Sequence, residues 1–113
     1  MEIETEIEIE KEHIGEMKAL FIVVNAGFGE EVIKTAREHG LVGATILNAR
    51  GESTRHESFM GITVNTEKEM ILSVMDEQTA VKIMAAVKET AGINTPAHGI
   101  CFTMPVNKAI GLR

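Results

Sequence analysis

Between residues 17 and 113 the apolar positions change period several times, and the changes set an expected order of elements. Met17–Asn25 is continuously apolar and β-branched in its second half, and the Ala26-Gly27-Phe28-Gly29 turn after it marks the end of a buried strand. Glu30–His39 follows with helical spacing, Val32, Ile33 and Ala36 inward, acids in the first turn and Gly40 as terminator. Val42–Arg50 and Lys68–Met75 read as the second and third strands. Asp76 then caps a helix whose Ala80, Ile83, Met84, Val87 and Ala91 fall on one face, and Gly92 stops it. His98–Met104 is the fourth strand.

This β-α-β-β-α-β order predicts an α+β, ferredoxin-like domain over 17–113, with two helices on one face of a four-stranded antiparallel sheet. Residues 19–24 and 70–75 carry large apolar side chains on both faces, whereas a sheet covered on one side alternates with polar residues. Self-association that buries the second face is the expected solution, and clefts between copies become ligand sites.

Residues 1–16 form an acidic N-terminal extension. Glu alternates with Ile or Thr from Glu2 to Glu10, a period of two that fits either a frayed segment or an edge strand with isoleucines inward. Charge sharpens the boundary. The chain of 113 residues carries a net −6, yet residues 1–16 hold seven Glu and one Lys, so the rest is neutral. A neutral body without a basic stripe or interleaved aromatics gives no footprint for nucleic acid. No apolar run approaches the ~20 residues that span a bilayer, and the N-terminus lacks a secretion layout, so a cytoplasmic protein without membrane insertion is expected.

Two segments invite ligands. Residues 51–67 join the second and third strands with seventeen residues where a hairpin needs two to five. They are either strand extensions around a turn, with Ser58–Val64 as one arm, or a functional loop in which Arg55 and His56 meet an anion or partner and Phe59 and Met60 anchor it. Ala91–Gly99 contains Gly92 and Gly99, which either let backbone N–H groups approach an anion or simply end a helix and begin a strand.

Other chemistries are weaker. His98 and Cys101 are three apart at a loop-to-strand junction, wrong for joint ligation of one metal. Cys101 lies in an apolar strand and reads as packing rather than as a nucleophile. No carboxylate pair marks acid–base work, so no catalytic residue, required cofactor or metal ligand is assigned.

Three motifs carry a family resemblance: Gly40-Leu41-Val42-Gly43-Ala44-Thr45 with Arg50-Gly51 beyond it, Thr90 at the end of the second helix, and the ending Gly99-Ile100-Cys101-Phe102-Thr103-Met104-Pro105-Val106-Asn107-Lys108-Ala109-Ile110-Gly111-Leu112-Arg113. With these, residues 17–113 resemble the PII-type nitrogen-regulatory signalling proteins. The resemblance implies a non-enzymatic homotrimer that binds a small effector, an adenine nucleotide or related metabolite, between subunits and regulates a target transporter or enzyme through residues 51–67. It implies ligand-binding roles for Thr45 and Thr90 towards adenine and for Arg50, Gly51 and Gly99 along the cleft, with Gly92, His98 and Arg113 completing the set. Ile100 stands where the family has a phosphate-binding lysine, and Gly111 replaces an arginine. Each lost contact is worth ~1.5–3 kcal/mol, which weakens a triphosphate and favours fewer phosphates or another small anion. The chain contains no tyrosine, so the family's tyrosine uridylylation has no acceptor. The CutA-type cation-tolerance proteins share the topology and the trimeric build, and a ring of His56 or His98 about a symmetry axis is the metal-binding alternative.

Overall fold

A first strand, β1, covers His13–Asn25 and lies inside a four-stranded sheet, flanked on each side by an antiparallel neighbour. The computed structural model describes residues 13–52, 58–59, 62–63 and 66–111, with side chains for 17–52 and 66–111. The predicted acidic segment up to residue 12, and Arg55, His56, Met60 and Arg113, lie outside the described residues. After β1 come helix α1 (Gly29–Arg37), strand β2 (Thr45–Arg50), two short strands β3 (Ser58–Phe59) and β4 (Ile62–Thr63), strand β5 (Glu67–Asp76), helix α2 (Glu77–Ala91) and strand β6 (Ile100–Ala109). The sheet order is β2-β5-β1-β6, all antiparallel, and β3 pairs with β4 in a separate two-stranded sheet. This is the expected ferredoxin-like arrangement, with the connection at 51–67 contributing a small hairpin.

Alternation along β1 sorts the core. Leu20, Ile22 and Val24 are buried under the helices, joined by Ile71 and Met75 of β5, Val32 and Ala36 of α1, and Ala80, Ile83, Val87 and Ala91 of α2. The helical spacing read from residues 80–91 therefore points at the sheet, as its period requires. Register places Ala19, Phe21 and Val23 on the other side, with Met70, Leu72 and Val74 of β5, Ile100, Phe102 and Met104 of β6, and Thr45 and Leu47 of β2. Among the described residues no helix covers this second face. Leu47 is 45% exposed, Ile100 53%, Phe102 41% and Met104 52%.

Boundaries differ most from the sequence reading in three strands. β1 begins at His13, four residues before Met17, and pairs His13 with Ala109 across a register shift. β2 begins at Thr45 rather than Val42: residues 41–44 cross from α1 with Leu41 buried as a plug, Val42 77% exposed, and the Ser73 hydroxyl bonded to the Gly43 carbonyl at 2.6 Å. β6 runs through Pro105 to Ala109, since an edge strand tolerates proline where no ladder hydrogen bond is lost.

The start of α1 is held from a distance. Its N-cap, Phe28, offers no side-chain acceptor, and instead Glu69 of β5 accepts hydrogen bonds from the backbone N–H groups of Gly27 at 3.0 Å and Gly29 at 2.8 Å. A carboxylate there satisfies orphan donors and complements the positive end of the helix dipole. Glu69→Ala should cost about 1–2 kcal/mol in chemical denaturation, with Glu69→Gln recovering part of it because the acceptor remains. Equal loss in both variants would show that the acceptor contributes nothing.

Helix α2 has the local cap read from sequence. Asp76 accepts from the Thr79 backbone N–H at 2.7 Å, and that bond first, then the Thr79 side chain, hold its carboxyl below the usual range against desolvation, with a smaller contribution from the Lys82 charge. With the folded value below the unfolded one, the stabilisation is complete above the unfolded value and is lost as pH falls through the folded value. Unfolding midpoints should therefore drop on the acid side of about pH 4, and Asp76→Asn should flatten that limb relative to the parent.

Candidate functional site

The candidate residues gather at one end of the sheet, where β1 and β2 finish and β5 and β6 begin. Across it, in sheet order, stand Arg50 at the end of β2 with Gly51 after it, Glu67 and Lys68 of β5, Asn25 of β1, and Gly99 before β6. Arg50 and Gly99 are thus at the same end but on opposite edges. Three strand spacings, about 14 Å, separate those edges.

On the β2 edge, Arg50 is exposed and its Nε lies 3.0 Å from Glu52 Oε1, a surface pair that leaves most of the guanidinium in water. The Gly51 N–H donates to the Thr66 carbonyl at 2.7 Å, closing the base of the long connection. A Cβ on Gly51 would meet Lys68 Cε at 2.9 Å, so the lysine stem occupies the space a side chain would need. Thr45 is farther down the strand, opposite Leu72 on the uncovered face.

On the β6 edge, the 92–99 loop is closely packed against the helix end. The Gly99 N–H donates to the Ala91 carbonyl at 2.8 Å, and the Thr95 N–H and hydroxyl both donate to the Gly92 carbonyl. A Cβ on Gly92 would fall 2.4 Å from the Lys88 carbonyl oxygen, and one on Gly99 would fall 2.3 Å from that of Ala91. Close backbone approach therefore accounts for both glycines, whatever else they touch. His98 has φ +48, a left-handed conformation that histidine adopts more readily than most residues, and it is exposed.

Thr90 stands on the helix layer, beside the 92–99 loop. Its hydroxyl donates to the Ala86 carbonyl at 2.9 Å, and it lines a groove of about 280 Å³ on the helix side with Phe28, Val32, Thr35, Pro96 and Ala97. Glu31 on the same groove disfavours an anion there. Within one chain Thr90 and Thr45 are consequently on opposite layers. The backbone of Phe59 is in β3, and its side chain lies outside the described residues.

Asn25 and Lys68 are the polar residues at this end that sequence reading passed over. Lys68 Nζ donates to Asn25 Oδ1 at 2.6 Å, and Asn25 Nδ2 donates to the Pro96 carbonyl at 3.0 Å. Only strand register brings these residues together. Cys101, beside the core opposite Ile22, has its thiol pushed up by burial, which argues against a thiolate nucleophile. Among the described residues no group of three or more His, Cys, Asp or Glu is placed to hold a metal ion, and no helix is long and apolar enough to cross a membrane.

The fold is shared with solved structures at low identity. A PII-like signalling protein from Thermus thermophilus is 18% identical, with 86% of this chain and 92% of that one covered at a TM-score of 0.66. GlnK of B. subtilis in complex with ATP is 17% identical, covering 84% and 85% at 0.65. CPII, a nitrogen regulatory PII-like protein from Thiomonas intermedia K12 bound to ADP, AMP and bicarbonate, is 15% identical, covering 88% and 96% at 0.65. Comparison with curated proteins finds no match. The family model described as nitrogen regulatory protein P-II matches residues 17–113, a span that holds all of the sheet but the first four residues of β1 and includes both edges of its candidate end, and the chain belongs to that family.

Proposed function

We propose that the protein is a homotrimeric, non-enzymatic sensor that binds an adenine nucleotide or related metabolite in clefts between its subunits. It regulates a partner transporter or enzyme through residues 51–67. The observation that carries this reading is the pairing of an uncovered apolar sheet face with candidate residues split between opposite edges of the same sheet end. Within one chain the two edges stand about 14 Å apart, with β5 and β1 between them. Where the β2 edge of one copy meets the β6 edge of the next, Arg50 and Gly51 come beside Gly92, His98 and Gly99, and the apolar face that drives assembly also builds the cleft. Thr45, at the rim of that face, then lies close to the junction, while Thr90 and Arg113 complete the proposed set from the family pattern.

Support for the ligand class comes from relatives: GlnK of B. subtilis has been solved with ATP, and CPII of Thiomonas intermedia with ADP and AMP. Ile100 and Gly111 remove two positive charges that a triphosphate uses, so ADP and AMP are the preferred candidates here. Thermal unfolding tests this directly. ADP or AMP should raise the midpoint with a concentration dependence that follows RT ln(1 + [L]/Kd), ATP should raise it less, and Arg50→Ala should remove most of the response. No rise with any of the three nucleotides would overturn the ligand assignment.

A further inference from the structure

We propose that Asn25 and Lys68 form a relay linking the 92–99 loop on one edge of the sheet to the base of the long connection, at Arg50, Gly51 and Thr66, on the other. The proposal rests on the sensing function only for the identity of the trigger, since the relay is a property of the contacts themselves. Three joints make it continuous. Asn25 holds the loop twice, through its backbone N–H to the Ala97 carbonyl at 2.8 Å and through Nδ2 to the Pro96 carbonyl at 3.0 Å. Its Oδ1 accepts from the Lys68 ammonium at 2.6 Å. The Lys68 stem lies against Gly51, where only the missing Cβ makes room for it.

A planar amide fixed at both ends makes this a coupling rather than a chain of independent contacts. Turning the Asn25 carboxamide to follow a displaced Pro96 carbonyl moves Oδ1 away from the ammonium, and the charge-assisted bond is the stronger of the two. Lys68 then swings with its acceptor, and its stem shifts against Gly51. The Gly51 N–H is bonded to the Thr66 carbonyl at 2.7 Å, so the base of the connection closes two residues from Lys68. An effector that reshapes the 92–99 loop is thereby felt at residues 50, 51 and 66, and by reciprocity a partner that orders this base alters the loop.

Amide NMR of the full chain tests the relay with and without ligand. In the ligand-free protein Thr95→Ala, which removes the hydroxyl bond to the Gly92 carbonyl, should shift the Gly51 and Thr66 amides as well as those of 93–99. ADP should shift 93–99 as well, and Gly51 by direct contact in the proposed cleft, so it reports binding and not the relay. In Lys68→Met, which keeps the stem but removes the ammonium, and in Asn25→Ala, the 93–99 responses to Thr95→Ala should persist while the Gly51 and Thr66 responses to it fall at least threefold. A Gly51 response to Thr95→Ala that is undiminished in Lys68→Met, or absent from the parent, overturns the relay. If ADP moves no amide while Thr95→Ala still reaches Gly51 only through Lys68, the relay stands and the nucleotide assignment fails instead.

Discussion

Replacing Gly99 with alanine is expected to lower unfolding free energy by about 3 kcal/mol, the upper part of the range for overpacking a closed site. The added Cβ would sit 2.3 Å from the Ala91 carbonyl oxygen and 3.0 Å from Val24 Cγ1. Ala91 is buried at the end of α2, and Val24 is buried in β1, so neither neighbour yields as a surface side chain would. The clash falls on the atom that accepts the Gly99 N–H, so relief by moving Gly99 outward also weakens that hydrogen bond at 2.8 Å. On a domain of this size the change should lower the melting midpoint by roughly 10–20 °C at fixed protein concentration. Gly111→Ala is the contrast: φ is +90 there but nothing lies within 4 Å of the added carbon, so only conformational strain, about 1 kcal/mol, is expected. A Gly99→Ala protein that melts with the parent would mean that the loop is not packed as described.

That contrast also marks what was legible in the sequence. Apolar runs on both faces of residues 19–24 and 70–75 identified the two central strands, because only interior strands between covered faces lack alternation. The spacing of Ala80, Ile83, Val87 and Ala91 identified the buried face of α2, and Asp76 its cap, since both signals are local. The cap of α1 was not legible: its acceptor, Glu69, lies 40 residues from Gly29, and nothing near Phe28 announces it. For the same reason the glycines and Arg50 stood out as site candidates while Asn25 and Lys68 did not, being 43 residues apart and joined only by register. Val42 misled because a β-branched residue beside Leu41 looks like a strand start, whereas the chain uses Leu41 to plug the core and turns Val42 to solvent.

Phe102→Asp should convert a trimer into folded monomers, and this is the most direct test of the proposed assembly. Phe102 lies in edge strand β6, with its ring stacked on that of Phe21 at 4.9 Å between centroids and 12° between planes. Around it on the uncovered face are Ile100 and Met104 along the same strand and Ala19 and Val23 across the ladder. A contiguous apolar surface of this kind is unusual on a free monomer and marks an interaction site. In the isolated chain Phe102 remains 41% exposed, so a carboxylate there stays hydrated and the core beneath Leu20 and Ile22 is untouched. Under a neighbouring copy the same carboxylate loses its water without gaining a partner, at a cost of several kcal/mol, repeated once per subunit in a closed trimer. Light scattering after size exclusion should therefore give three chain masses for the parent and one for Phe102→Asp, with unchanged far-ultraviolet circular dichroism. Nucleotide stabilisation should vanish together with the trimer, because each cleft needs the β2 edge of one copy and the β6 edge of another. A parent protein that runs as a monomer, or a monomeric Phe102→Asp variant that still binds ADP as tightly, would break the link between the apolar face and the shared site.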